Sequence, residues 1–115
     1  MKLDRNVNKD GKGKYAVVRL REIEKGTEAY ALLQRLHELG HLDWGRVGDP
    51  DEFFVIKLRD KYSSAAIQGY SDAVMTDAAK QVSIAKYDGL VKYALEVQRL
   101  GERAGALSEF CKEPD

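Results

Sequence analysis

Residues 62–105 have the sequence YSSAAIQGYSDAVMTDAAKQVSIAKYDGLVKYALEVQRLGERAG, and this stretch decides the fold expected for the chain. Its apolar residues recur every three or four positions, which is the spacing of one helix face. The first stripe consists of Tyr62, Ala66, Tyr70 and Ala73 or Val74. Asp60 or Ser63 is expected to cap the start of this helix, because short polar side chains bind the free N–H groups of a first turn.

A second helical run is expected from Thr76 to Ala104. Its apolar positions are Val82, Ile84, Tyr87, Leu90, Val91, Ala94, Leu95, Val97 and Leu100. The pair Asp88-Gly89 is expected to kink or split this run, because an interior glycine costs about 1 kcal/mol of helix stability. Gly105 is expected to end it.

Residues 26–40, GTEAYALLQRLHELG, predict another helix upstream. Thr27 lies at the position of an N-cap, and Gly40 lies where a left-handed C-cap residue belongs. The apolar positions between them are Ala29, Leu32, Leu33, Leu36 and Leu39.

Alternating patterns predict strands at residues 14–23 (KYAVVRLREI) and 52–60 (EFFVIKLRD). Residues 42–47 are a possible short strand, and GDPDE at 48–52 is a turn by composition. The order predicts an α+β fold, β-α-β(β)-α-α, with a two- or three-stranded sheet covered on one face by two to four helices. A single domain spanning residues 1–115 is expected, with a basic glycine-containing loop at 1–13 and an irregular tail at 106–115.

The composition is that of a globular protein: 43% of the 115 residues are hydrophobic and 33% are charged. No apolar run approaches the ~18 residues that cross a bilayer, and no leader is visible, so no membrane association and a cytoplasmic location are expected. Cys111 is the single cysteine, which excludes an internal disulfide and fits a reducing compartment.

The net charge is zero, but the first 21 residues contain seven basic and two acidic residues. The loop at 6–15, NVNKDGKGKY, lies in this region and has two glycines that let backbone N–H groups turn towards a ligand. A calcium loop is excluded because Val17 stands where the bidentate glutamate belongs. A nucleotide-binding P-loop is excluded because GKGK is followed by Tyr15 and a predicted strand. We expect either a flexible turn or a contact of Arg5, Lys12 and Lys14 with a phosphate or carboxylate.

The second faces of the two predicted strands have the same order of residue types, an aromatic, a valine and two bases. They are Tyr15-Val17-Arg19-Arg21 and Phe53-Val55-Lys57-Arg59. If both strands share a sheet, this face mixes aromatic rings with cations, as surfaces that bind single-stranded nucleic acid do. Basic residues on an edge strand also guard against aggregation, so the pattern is not specific.

No catalytic motif is present, so the chain is not expected to be an enzyme or to bind a metal or a cofactor. His37 and His41 are four residues apart, but Gly40 is expected to end the helix between them. A metal site on a shared helix face is therefore not expected.

Three segments resemble a group of small proteins encoded by tailed phages and prophages. They are MKLDRNVNKDGKGKYAVVRLRE, DEFFVIKLRDKY and RAGALSEFCKEPD, which are similar to the family patterns MKLxRNxNxxGxGKYA, EFFVIKLxDxY and CKxPD. The resemblance implies a phage origin and no particular activity. It would make motif positions of Arg5, Asn6, Asn8, Gly11, Gly13, Lys14, Tyr15, Lys57, Asp60 and Lys112.

We therefore expect a non-catalytic phage accessory protein that binds a host protein, for example one of host defence, or a small anionic ligand. The alternative is a nucleic-acid-binding regulator or accessory replication protein. Self-association into a homo-oligomer is also plausible, because a small sheet leaves edges to cover. The candidate binding residues are Arg5, Asn6, Asn8, Lys12, Lys14, Tyr15, Arg19, Phe53, Lys57 and Arg59.

Overall fold

The computed structural model describes Leu3 and residues 10–107. Within this part of the chain, the regular elements are one turn of 3-10 helix at Leu20–Glu22 and three α-helices. The α-helices are α1 (Glu28–Glu38), α2 (Ser63–Ala78) and α3 (Ile84–Ala106).

Contacts between residues divide the chain into two compact units. Unit 1 consists of Met1–Arg5 and Val55–Asp115, and unit 2 consists of Asn6–Phe54. Unit 1 contains α2 and α3, whereas unit 2 contains α1. The single domain expected from the sequence stays a prediction.

Helices α2 and α3 form an antiparallel hairpin in unit 1. The Ser64 hydroxyl donates to the Gly101 carbonyl at 3.2 Å, and the Ser71 hydroxyl donates to the Ala94 carbonyl at 2.8 Å. The antiparallel direction follows because the earlier residue of α2 pairs with the later residue of α3.

Small side chains let these two helices approach closely. The buried residues along the hairpin are Ser63, Ser71, Ala78, Ala94, Val97, Gly101 and Ala104. A Cβ atom added at Gly101 would lie 3.3 Å from the Cγ2 atom of Ile67, which is tighter than ordinary van der Waals contact. The serine hydroxyls satisfy backbone carbonyls, so their burial leaves no polar atom unpaired among the described side chains.

Helix α1 follows its sequence signals in unit 2. The Thr27 hydroxyl accepts a hydrogen bond from the Tyr30 N–H at 3.2 Å, which confirms the predicted N-cap. Gly40 has a φ of 78°, its N–H donates to the His37 carbonyl, and the His41 N–H donates to the Leu36 carbonyl. This pair of bonds is a Schellman motif, so the predicted C-cap at Gly40 is also confirmed.

The α+β prediction is wrong, because the described residues form no sheet and Asp60 is an isolated bridge residue. Local turns interrupt both predicted strands. Residues Leu20–Glu22 wind into the 3-10 turn, and the Asp60 N–H donates to the Lys57 carbonyl at 3.0 Å. The remaining extended residues, 15–19 and 52–57, have no hydrogen-bonded neighbouring strand among residues 10–107, and a strand without one is not stable.

The possible third strand at 42–47 is also absent, whereas the predicted turn at 48–52 is confirmed. The Asp49 N–H donates to the Arg46 carbonyl at 3.1 Å, and the Glu52 N–H donates to the Asp49 carbonyl at 3.0 Å. The turn joins two extended stretches and closes no hairpin of strands.

Several helix boundaries also differ from those expected. The helical structure is interrupted at residues 79–83 rather than at Asp88-Gly89. Ser83 caps the start of α3, since its hydroxyl accepts a hydrogen bond from the Lys86 N–H at 3.4 Å. Gly105 lies inside α3 and does not end it. Tyr62 is the N-cap of α2 and makes no side-chain capping bond, so neither Asp60 nor Ser63 is the N-cap. Most of the predicted loop at 1–13 and of the predicted tail at 106–115 lies outside the described residues.

Candidate functional site

The residues predicted to bind in the glycine-containing loop are only partly described. Arg5, Asn6 and Asn8 lie outside the described residues. The Lys12 ammonium lies 3.7 Å from the Asp10 carboxylate, and the Lys12 N–H also donates to that carboxylate at 3.1 Å. Lys12 is therefore held by its neighbouring acid, although the pair is exposed and weakly bound.

The next predicted residues lie along the extended stretch of unit 2. The Lys14 ammonium lies 5.6 Å from the centre of the Tyr15 ring, which is within the range of a cation–π contact. Arg19 lies 3.8 Å from the Glu22 carboxylate, one turn further along. Both pairs are exposed and are formed by neighbours in sequence.

The shared basic face that the sequence suggested has no structural basis. It required two paired strands, and the described residues form none. Arg19 and Phe53 belong to unit 2, whereas Lys57 and Arg59 belong to unit 1. A binding role for each residue separately stays a prediction.

A cluster missed by the sequence interpretation lies just after α1. The Trp44 indole N–H donates to the Nδ1 atom of His37 at 2.9 Å, and the two ring centres are 5.8 Å apart at an angle of 60°. The Arg46 guanidinium carbon lies 6.0 Å from the centre of the Trp44 ring. We call these three residues the His37–Trp44–Arg46 clasp.

The clasp belongs to a loop shaped by glycines and turns. Gly45 has a φ of 57°, a conformation in which side chains are strained, and a Cβ atom there would overlap the Phe53 ring. The Gly48 N–H donates to the Glu52 carboxylate at 2.8 Å, which ties the two sides of the 48–52 turn. Residues 41–54 are therefore ordered by their own contacts and by the clasp.

Unit 2 leaves many large apolar side chains in contact with solvent. Within residues 10–54 the structure buries Leu33 alone. Val47 is 90% exposed and Phe54 is 86% exposed. We call the large exposed apolar side chains of this unit the exposed apolar set: Tyr15, Val17, Val18, Leu20, Leu32, Leu36, Leu39, Val47, Phe53 and Phe54.

Helix α1 contributes three leucines to this set. Leu32, Leu36 and Leu39 are separated by four and three residues, so they lie on one side of the helix. Within unit 2, α1 is the single described α-helix, so no α-helix of the same unit packs on it. The apolar positions of α1 predicted a helix face packed against a core. Most of these side chains are exposed to solvent, and Leu33 is the buried one.

Unit 1 has a pair of tyrosines between α2 and α3. The Tyr70 and Tyr93 hydroxyl oxygens are 2.9 Å apart, and their rings meet edge to face. The hydrogen bond with Tyr70, together with partial burial and the charge of Glu96, raises the pKa of Tyr93 to about 12. Tyr93 therefore stays protonated at neutral pH and is not poised for acid–base chemistry.

A shallow groove of about 400 Å³ lies beside the turn between α2 and α3. It is lined by Asp77, Gln81, Ala85, Lys86, Gly89 and Leu90. The Gln81 amide donates to the Asp77 carbonyl at 3.3 Å, so part of its polar lining is already paired. Asp77 and Lys86 are exposed to solvent, which weakens any charge-based recognition.

The described part of the chain has no group of three or more metal-binding side chains that could hold an ion. None of its helices is both long and apolar enough to cross a membrane.

Sequence reasoning missed the clasp because its residues have no periodic pattern. The available signals were the single tryptophan of the chain and a histidine seven residues before it, on the far side of a predicted C-cap. These two residues could be expected to meet only if the chain reverses direction at Gly40, and the structure shows this reversal.

Comparisons with known proteins do not place this chain in a family. No protein-family model matches it, and neither does any curated protein or solved structure. The resemblance to phage-encoded proteins stays a prediction.

Proposed function

We propose that the chain is a non-catalytic binding module that docks on a partner protein through the exposed apolar set of unit 2. The observation that carries the proposal is the burial pattern of residues 10–54, in which Leu33 is buried while whole aromatic and aliphatic side chains face solvent. Single exposed apolar residues are ordinary, but such an accumulation is typical of interaction surfaces.

Aromatic side chains would contribute most of the binding energy. A phenylalanine buries roughly 150–250 Å² when it is fully covered, and burial contributes about 25 cal/mol per Å² of apolar surface. Phe54 and Phe53 are 86% and 54% exposed, so most of the Phe54 side chain and about half of the Phe53 side chain are available to a partner. Aromatic anchors of this kind are frequent among the residues that dominate protein interfaces.

The weak core of unit 2 supports a coupling between binding and ordering. A segment that buries one large apolar residue gains little free energy to offset the conformational entropy lost on ordering. A partner that covers Leu32, Leu36 and Leu39 would supply the missing apolar contact for α1. Segments of this type fold more completely when they bind.

The resemblance to phage proteins supports a host protein as the partner, and a host-defence protein is one such candidate. The same proposal places the module in the cytoplasm of the host cell, where Cys111 would remain reduced. The lack of a catalytic motif in the sequence supports interference by binding rather than by modification.

The test is affinity purification of the tagged chain from host cells, followed by mass spectrometry, with two single-residue variants in parallel. Phe54→Glu places a charge in the exposed apolar set, whereas Val82→Glu places the same charge on a 99% exposed residue of unit 1. We expect proteins retained by the wild type to be lost with Phe54→Glu and kept with Val82→Glu.

Because both side chains face solvent, neither substitution should alter the helix content seen by circular dichroism. Retention of the same proteins by all three chains would contradict docking through this set. An empty result for the wild type would count equally against the proposal.

A second candidate, binding of single-stranded nucleic acid, is favoured by exposed pairs of a cation and an aromatic ring. They are Lys14 with Tyr15, Arg46 with Trp44, and Lys61 with Tyr62. Stacking on such rings contributes roughly 1–3 kcal/mol per base. Oligonucleotide binding that weakens steeply with salt and is lost in Trp44→Ala would favour this function over the first.

A further inference from the structure

The His37–Trp44 hydrogen bond constrains the protonation state of the imidazole. The Nδ1 atom of His37 accepts the Trp44 indole N–H at 2.9 Å, so Nδ1 carries no proton and the neutral ring has its proton on Nε2. An imidazolium has protons on both nitrogens and cannot accept a hydrogen bond. Closure of the clasp therefore requires neutral His37.

The Trp44 ring already has one cation beside it. The Arg46 guanidinium lies 6.0 Å from the centre of the Trp44 ring, and the His37 ring lies 5.8 Å from that ring. An imidazolium at His37 would add a second cation beside the same indole. The hydrogen bond that is lost on protonation of His37 is what opens the clasp.

The other charged groups on these two elements do not take over the role of His37. On α1, Arg35 and Glu38 form a pair at 3.1 Å and largely compensate each other. Further along the loop, Asp43 and His41 are exposed, and neither is the acceptor of the indole N–H. A histidine near a helix C-terminus is well tolerated as a cation, so acidification should open the clasp without unwinding α1.

Opening the clasp would free the start of the 41–54 loop. His37 connects to this loop through its side chain, while its backbone carbonyl accepts from the Gly40 N–H within the Schellman motif. The backbone motif is independent of proton uptake, whereas the side-chain bond is not. Proton uptake therefore acts on the segment that leads to Val47 and Phe53, two members of the exposed apolar set.

We propose that His37 is a proton-operated clasp that holds Trp44 against the end of α1 when it is neutral and releases it when it is protonated. The clasp is a property of the free chain. Its use as a regulator of docking rests on the proposed function, because the loop that it holds carries part of the exposed apolar set.

The test follows the indole N–H of Trp44 by NMR in the full ¹⁵N-labelled chain. The chain has one tryptophan, so the spectrum contains a single indole signal. The exchange rate of this proton with water is measured at pH 8 and pH 5 for the wild type and for His37→Phe. At each pH, the rate of His37→Phe is divided by the rate of the wild type. This ratio cancels the intrinsic pH dependence of exchange.

At pH 8 we expect the indole of His37→Phe to exchange about three- to tenfold faster than that of the wild type, the factor that one modest hydrogen bond provides. At pH 5 we expect this ratio to fall towards one, because an imidazolium cannot accept the indole N–H. His41→Gln is the matched control, since His41 is exposed and is not the acceptor of the indole N–H, and it should match the wild type at both pH values.

A ratio of one at pH 8 would overturn the clasp, and so would a ratio that stays high at pH 5. Circular dichroism of His37→Phe checks that α1 is intact, which is expected because His37 is exposed. The measurement uses the free chain, so a failed search for partners would overturn docking and leave the clasp standing. A pH-independent ratio would overturn the clasp and leave docking standing.

Discussion

Side-chain hydroxyl groups form hydrogen bonds between α2 and α3. Tyr70 and Tyr93 share a hydrogen bond of 2.9 Å, and Ser71, buried at 4% exposure, donates to the Ala94 carbonyl. The tyrosine bond favours the neutral phenol, which is why the pKa of Tyr93 rises to about 12. A group whose pKa is higher in the folded than in the unfolded state stabilises the fold below the unfolded value and loses this contribution as pH rises.

Tyr70→Phe should lower the pKa of Tyr93 towards the ordinary value of 10.0, because the Tyr70 hydroxyl is the largest cause of the shift. Titration of phenolate absorbance should show one late-titrating tyrosine in the wild type and none in the variant. Stability of the wild type should fall as pH rises from 10 to 12, and that fall should be smaller in the variant. Tyr87→Phe is the control. If a tyrosine with a raised pKa persists in Tyr70→Phe, the Tyr70 hydroxyl is not the origin of the shift.

At the scale of elements, α2 and α3 associate because small residues line their contact. Gly101 brings the two helices close enough that a Cβ atom would press on Ile67. Gly89, in the same helix, has no atom within 4 Å of an added Cβ. The two glycines therefore separate the effect of packing from the effect of helix propensity.

Gly101→Leu should destabilise the chain by about 1–3 kcal/mol, the usual cost of overpacking a helix contact. Gly89→Leu should stabilise it by up to about 1 kcal/mol, because leucine is a better helix former and meets open space. Urea unfolding followed by circular dichroism measures both changes. If the two variants changed the free energy of unfolding by the same amount in the same direction, close packing at Gly101 would not be the deciding contact.

The helices were predictable to the extent that their signals are local. Apolar spacing, Thr27 and Gly40 predicted α1 almost to the residue, since caps act within one turn. The break at 79–83 was missed because the second helix expected from the sequence, Thr76 to Ala104, continued through Ser83, which instead caps α3. The prediction of strands at residues 14–23 and 52–60 was wrong because an alternating pattern is a property of each segment alone. A strand also needs a hydrogen-bonded partner, which the sequence does not specify.

At the scale of the whole molecule, burial is distributed unequally between the two units. Unit 1 has a hairpin with a small-residue contact, whereas residues 10–54 bury Leu33 alone. The sequence predicted binding at polar, basic and aromatic residues from Arg5 to Arg59, and two of them, Tyr15 and Phe53, belong to the exposed apolar set. The other members of that set could not be predicted from the sequence. Apolar residues in a strand-like or helical pattern normally indicate a core, and only the packing shows that these side chains remain uncovered.

Hydrogen exchange of the full, free chain, resolved to short segments by mass spectrometry, tests the central claim most directly. Amides of α2 and α3 should be the best protected, because they combine helical hydrogen bonds with a packed contact. Residues 15–19 and 52–57 should exchange at nearly unprotected rates, and α1 should fall between. Protection of those two extended segments equal to that of α3 would contradict both the absence of a sheet and the uncovered state of unit 2.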